Sequence, residues 1–579
     1  MIRKNFFVVW SRSAVLTVVG GLCWPDVAEG KRPPPPPPPP VSGWTNAAGG
    51  DWTVPTNWSK GTIPNSQDVI TTIGSHASAS GTFTVTTSGA LNNIQVLELV
   101  ARNDQTVTLT LSNPLNLTRI LLEGQSVSAS NVLNLLTGNN GTGDVTISDT
   151  GNVGLSTGIG QNRLNLAGGS MTVTPAQGVT LGTAASGAST TIVTQTAGTF
   201  TSVGAVLLGS ASNEDAGART EWTISGGTIN ANAQSASSLV VGRGAQRATL
   251  NVGGNALVNV AGRLAVSGVP SPESVPATVI DQSMNVNGGA VTAGEILIGQ
   301  SGIAGANRNS HFSLSGGTVR AVGDGSASNT SGSFVANAGD DTTGAARNIS
   351  IFFICGTLEA RSFDVDLTGT DRMAVGDGVS GPAVLKFINA TSASSAFLDG
   401  LHVRSNGILA TSSFAHQITS TNNEVLIDGG LRIGDADINV AGALTSGIGS
   451  LEINGPGLTF TSNAVLTIDI ASLVSFDRMD ALGANRLLSF GGTVFLNIQD
   501  GVTLNEGDSF QVFGSDWAGR TGTFSSITGG GLSWGFDAAI GTFVVVPEPA
   551  TAALFIGGLA FFTIFCRRPR RSPRPVAGG

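Results

Sequence analysis

Glycine pairs or their variants recur at Gly168-Gly169, Gly198-Thr199, Gly226-Gly227, Gly253-Gly254, Gly288-Gly289 and Gly316-Gly317, in steps of 30, 28, 27, 35 and 28 residues. Their surroundings recur as well. Trp222-Thr223-Ile224-Ser225-Gly226-Gly227-Thr228-Ile229 is echoed by Phe312-Ser313-Leu314-Ser315-Gly316-Gly317-Thr318-Val319. After several of these turns comes an apolar stretch closed by glycine, as in Val206-Leu207-Leu208-Gly209, Val240-Val241-Gly242 and Ile296-Leu297-Ile298-Gly299. Each unit therefore reads as strand, glycine turn, strand and a further short strand. Gly-Gly turns also suit the hairpins of β-sandwich domains, but a sandwich needs roughly 100 residues, far more than one repeat holds. A repeat this short cannot bury a hydrophobic face alone and must stack on its neighbours. The expected architecture is all-β, a right-handed parallel β-helix in which each coil pairs edge to edge with the next. If residues 70–480 follow it, about fifteen coils at ~4.8 Å each make a rod of roughly 70 Å. Pro270, Pro272 and Pro276 mark a loop that leaves the coil.

Local patterns agree. Thr106-Val107-Thr108-Leu109-Thr110-Leu111 places three apolar side chains on one face, and Leu466-Thr467-Ile468-Asp469-Ile470 alternates in the same way. With 80 Gly, no Tyr and 12% charged residues, the chain favours many short strands joined by turns.

The two termini concern destination. Arg3 and Lys4 precede the apolar stretches 6–10 and 14–24, and Ala28-Glu29-Gly30 places small residues where a signal peptidase reads them, so residues 1–30 are expected to be a Sec signal peptide. Gly20-Gly21-Leu22 before Cys23 does not suit a lipoprotein signal. Pro33 to Pro40 make a stiff polyproline II rod of about 25 Å within a spacer assigned to 31–42. At the other end Pro547-Glu548-Pro549 is followed by an uncharged run from Ala550 to Cys566 and by Arg567, Arg568, Arg570, Arg571 and Arg574. As a helix the run spans about 26 Å, enough for a thin bilayer, with the arginines holding its end on the cytoplasmic side.

This order of tripeptide, short span and arginine cluster in residues 547–579 resembles the PEP-CTERM sorting signal. The resemblance implies recognition by an exosortase-type membrane protease-transpeptidase, removal of the tail, and a cell that makes exopolysaccharide. Residues continue past Arg571 through Ser572 to Gly579, further than such tails usually do. Near the start, in 43–75, Trp44, Gly49-Gly50-Asp51-Trp52, Asn57-Trp58, Gly61, Pro64 and Asp68-Val69-Ile70 look like the Trp-rich opening motif of bacterial surface β-helices and autotransporter-like repeat arrays. Large indoles there would cover the first coil of the solenoid assigned to 76–480; stacking a sugar ring on an exposed indole is the competing use of Trp44, Trp52 and Trp58. In 481–546, and just before at Phe476-Asp477-Arg478-Met479, the motifs Gly507-Asp508-Ser509-Phe510, Val512-Phe513, Gly522-Thr523-Phe524 and Leu532-Ser533-Trp534 resemble the closing segment of PEP-CTERM repeat proteins. An autotransporter passenger would end in a membrane barrel with aromatic girdles, whereas this chain has no Tyr and ends in a single span.

Between the signal segments, residues 33–546 carry 19 basic and 35 acidic residues, a net charge of about −16. That excess argues against nucleic acid, whose phosphates need basic patches. Cys355 stands alone in the body, since Cys23 belongs to the signal peptide and Cys566 to the span, so stability must come from stacked strands rather than disulfides.

Parallel β-helices often cleave polysaccharides, which takes paired carboxylates, or a base with cations. Candidates are Asp340-Asp341, Asp364 with Asp366, and Asp435 with Asp437; the last two pairs have the spacing that puts both side chains on one face of a strand. His76, His311, His402 and His416 are scattered without a metal-binding spacing. Gly531-Leu532-Ser533-Trp534-Gly535 matches a nucleophile motif but lacks the helix that must follow it. Gly376-Asp377-Gly378 and Gly323-Asp324-Gly325 read as turns rather than calcium loops. No catalytic residue, metal or cofactor is assigned. The expectation is an exported, non-enzymatic surface or matrix solenoid, with the polysaccharide-degrading β-helix enzyme as the rival.

Overall fold

The computed structural model describes residues 41–547 apart from short segments, the longest being 269–279, 300–307, 324–331, 338–346 and 435–446. The signal segment and the apolar and arginine-rich parts of the tail lie outside the described residues. The described residues form one unit. Among them a 3-10 turn at Pro55–Asn57 is the one helical element, and no helix is long and apolar enough to cross a membrane.

Forty-two strands join a single sheet, and the pairing is overwhelmingly parallel. In one coil the strands Ser189–Ala197, Thr199–Ser202 and Val206–Ala211 each pair in parallel with their counterparts one coil on, Arg219–Ile224, Thr228–Ala231 and Leu239–Gly244. Three faces thus wind around a shared interior, the pattern of a parallel β-solenoid. The middle of these faces, followed from Leu115 through Val145, Met171, Phe200, Ile229, Val258 and onward to Val494 and Ile527, gives fifteen rungs in unbroken register among the described residues. At ~4.8 Å per step that is roughly 67 Å. The sequence distance between rungs runs from 22 residues, Leu409 to Leu431, to 39 residues, Val319 to Leu358. Register constrains only the strands, so corners absorb the extra residues, and the uneven glycine steps are the trace of this.

The repeated glycines sit at one corner. Gly198, Gly227, Gly254, Gly289 and Gly317 all have positive φ, and a Cβ on Gly317 would lie 2.4 Å from the Gly289 carbonyl oxygen. Each corner therefore rests on the backbone of the one before it, which only glycine permits. Inside, alternation sends one side chain in and the next out: Thr106–Leu111 buries Val107, Leu109 and Leu111. Four phenylalanines form a continuous contact chain through the interior of three coils, with ring centroids 5.3 Å apart for Phe312 and Phe334, 6.2 Å for Phe334 and Phe363, and 4.9 Å for Phe363 and Phe387. Outward amides chain the coils together, Asn285 donating to Asn251 at 2.9 Å and Asn251 to Thr223 at 3.2 Å.

The parallel sheet reaches beyond the repeat region at both ends. Its first strand is Val41–Gly43, paired with Ile70–Ile73, so Val41 and Ser42 belong to the first coil. Its last rungs are Gly519–Gly522 and Ser526–Thr528. There the strands Ser509–Gln511, Ser533–Asp537 and Thr542–Val546 form a separate three-stranded antiparallel sheet. Phe490, Phe513, Phe536 and Phe543 pack under it, with Phe536 4.8 Å from Phe490 and 4.7 Å from Phe543.

Candidate functional site

The three N-terminal indoles are interior groups. Trp44 and Trp52 are fully buried and Trp58 is 2% exposed. Trp58 is the hub, meeting Trp44 edge-on at 5.0 Å and Trp52 at 4.8 Å. Their backbones are tied to the following strands, Trp44 N–H to the Thr72 carbonyl and Trp52 N–H to the Thr86 carbonyl. Trp44 Nε1 donates to the Asn46 carbonyl at 2.7 Å and Trp58 Nε1 to the Trp52 carbonyl at 2.8 Å, while Trp52 Nε1 is buried without an acceptor. In this geometry no indole has an open face for a sugar ring.

The carboxylate pairs fare differently. Asp364 and Asp366 lie on the strand Ser362–Asp366 and share its outer side, as their spacing requires. Asp364 registers with Val335 on one neighbouring strand and Phe397 on the other, and Asp366 with Asn337, so neither has an Arg or His as a rung partner. Asp340, Asp341, Asp435 and Asp437 fall outside the described residues, as do His76, Asp324, Glu548, Pro549, Arg567, Arg568, Arg570 and Arg571. Pro547 is described and exposed, directly after the strand Thr542–Val546.

The described histidines stay apart. His416 is buried, 2.7 Å from the Ser412 hydroxyl and against Phe387. His311 has Asp281 at 3.9 Å on a half-exposed face, and His402 lies on the short strand His402–Val403. Among the described residues no group of three or more His, Cys, Asp or Glu is placed to hold a metal ion. Ser533 opens an antiparallel strand after a turn closed by Leu532 N–H to the Gly529 carbonyl, so the Gly-x-Ser-x-Gly stretch forms no strand-to-helix elbow. Asp377 closes a turn: its carboxylate accepts from the Val379 and Ser380 N–H groups, the Ser380 hydroxyl and Asn406. The Ser380 hydroxyl first, then the Ser380 and Val379 N–H groups, pull its pKa down to about 2.

The tertiary structure assembles two features that sequence reading missed. One is an ion-pair ladder across three coils, in which Glu359, almost fully buried, meets Arg320 at 2.5 Å and Lys386 at 3.5 Å. The other is a surface groove of about 370 Å³ lined by Ser380, Pro382, Ser405, Asn406, Gly407, Ile408, Gly429, Gly430, Arg432, Asn463, Val465 and Thr467. Its lining contains one charged side chain, Arg432, and no carboxylate or imidazole. These residues come from separate coils whose spacings are irregular, so no motif in the chain announces them. No protein-family model matches the chain, and no curated protein matches it.

Proposed function

We propose that this chain is an exported, non-enzymatic component of a cell surface or extracellular matrix, a right-handed β-solenoid that acts as a rigid spacer or adhesive rod. Pro547-Glu548-Pro549, the apolar run and the arginine cluster are its sorting signal, read by an exosortase-type enzyme. The apolar run holds the precursor in the inner membrane before processing, and exopolysaccharide is the surrounding to which the mature protein belongs. The tryptophans at 44, 52 and 58 serve as the cover of the first coil.

The observation that carries this reading is a parallel ladder that keeps its register over the fifteen rungs from Leu115 to Ile527 among the described residues, with packed aromatics near each end of the sheet. Such a body spends its residues on length and internal pairing, as a spacer does. The placement of Pro547 in the open, just past the last strand, suits a tail that a membrane enzyme must reach. The reading is tested by expressing the tagged protein in its own host and mapping the mature C-terminus by mass spectrometry. The comparison is with a variant in which Pro547, Glu548 and Pro549 are alanine. A wild-type end near Pro549 that disappears in the variant is the expected result. An intact arginine-rich tail in both would reduce the protein to an anchored ectodomain and remove the link to exopolysaccharide. Turnover of acidic polysaccharides by the purified body would overturn the non-enzymatic reading.

A further inference from the structure

The groove at Arg432 has the composition of a small saccharide site. Its floor is aliphatic, made by Pro382, Ile408 and Val465, the last 46% exposed. Gly430 leaves that floor open, because a Cβ there would come within 3.2 Å of Ile408 Cγ1. The rim is polar and already held in place. Asn406 is spent on the Asp377 turn, donating to the Ile354 and Gly381 carbonyls and accepting from Gly378 N–H; Ser405 donates to the Gly378 carbonyl, and Asn463 to Asp428 at 3.0 Å.

Two lining donors remain uncommitted among the described residues, the Arg432 guanidinium and the Thr467 hydroxyl. They are register partners on adjacent coils, side by side on the outer surface. Arg263 and Arg320, by contrast, are paired with Glu295 and Glu359. A half-buried, unpaired guanidinium beside a hydroxyl selects an anion, since charge-assisted bidentate contacts are the strong ones. A pyranose ring offers the matching shape, with C–H groups for the aliphatic floor and hydroxyls for the rim. At about 370 Å³ the groove lies near the small end of the ~300–1,000 Å³ range of ligand clefts, so it takes a short stretch of a chain.

We infer that this groove binds an anionic saccharide segment, its carboxylate or sulfate held by Arg432 and Thr467 and its ring lying on Pro382, Ile408 and Val465. A strongly acidic body then grips an acidic polymer at one point of local complementarity.

The test is calorimetric titration of the mature protein with oligogalacturonate, with dextran sulfate and with neutral dextran. Wild type is expected to bind one or both anionic probes and to ignore dextran. Preference between the two separates carboxylate from sulfate. Arg432→Gln is expected to weaken binding by about tenfold or more with an unchanged melting curve, and Gly430→Val, whose side chain crowds Ile408, to abolish it. No binding by wild type, equal binding of neutral dextran, or an Arg432→Gln protein that binds as wild type would overturn the inference. It is independent of the sorting reading: binding with an unprocessed tail leaves the groove assignment standing, and a processed tail without binding removes the groove assignment alone.

Discussion

Replacing Trp52 by alanine separates covering a coil end from binding a sugar. The side chain is fully buried and packs on Trp58 with centroids 4.8 Å apart, which in turn packs on Trp44. Removing a large buried aromatic costs about 3–5 kcal/mol, including the cavity left when neighbours cannot collapse. Trp52 Nε1 is buried without an acceptor, so some of the side chain's burial is offset, and Trp52→Phe, which drops that N–H, is expected to cost much less. In a solenoid each coil contacts only its neighbours, so the loss falls on the first coils and not on the whole rod. At 1.4 kcal/mol per decade, local opening there rises roughly a hundred- to several-thousand-fold. The assay is native-state hydrogen exchange read by peptide. Strands between Val41 and Leu111 are expected to lose that much protection while those beyond Ser189 keep theirs. An alanine variant with unchanged exchange and melting would refute the covering role. If it also lost retention on polysaccharide, the indole would be exposed in solution and the packing described above would not hold there.

Three further outcomes follow from the same geometry. Gly317→Ala places a Cβ at positive φ and 2.4 Å from the Gly289 carbonyl, and is expected to lower stability by at least about 2 kcal/mol in denaturant titration, whereas Gly89→Ala, with its nearest contact at 3.4 Å, stays within ~0.5 kcal/mol. Phe363→Ala opens a hole between Phe334 and Phe387 and is expected to cost about 3–5 kcal/mol, with exchange rising in the adjoining coils first; uniform loss along the rod would contradict coil-by-coil stability. Burial, reinforced by the neighbouring Glu123 and opposed by the Thr72 hydroxyl and Arg119, raises the pKa of Glu98 above its ordinary 4.5. A raised folded value means that its contribution is fully present below 4.5 and is lost as pH rises through the raised value, so Glu98→Gln should flatten that part of the pH–stability curve and be the more stable protein at neutral pH.

Much of the fold was legible in the chain because its signals are local. The stacked glycine corner is visible as Gly226-Gly227 and Gly316-Gly317, since a positive φ with the previous coil's backbone against the Cβ position demands glycine. Thr106–Leu111 is visible because period two needs no partner to be recognised. The same holds for the glycines closing Val240-Val241-Gly242 and Ile296-Leu297-Ile298-Gly299: Gly242 and Gly299 take positive φ, and a Cβ on either would run into a side chain of a later coil, that of Gln282 or of Ile349.

The sequence by itself therefore determined that this is a stacked all-β chain, and where its turns and inward residues fall. Only the tertiary structure decided what lies beside what. Rung spacings of 22 to 39 residues leave the lateral neighbour of any outward side chain undefined until register is known. That is why the burial of the three indoles, the Glu359 ion-pair ladder and the Arg432 groove emerge from pairing and not from pattern. A local conformational demand is written at its own position, while a site on a solenoid's outer surface is written across coils and is read only when they are stacked.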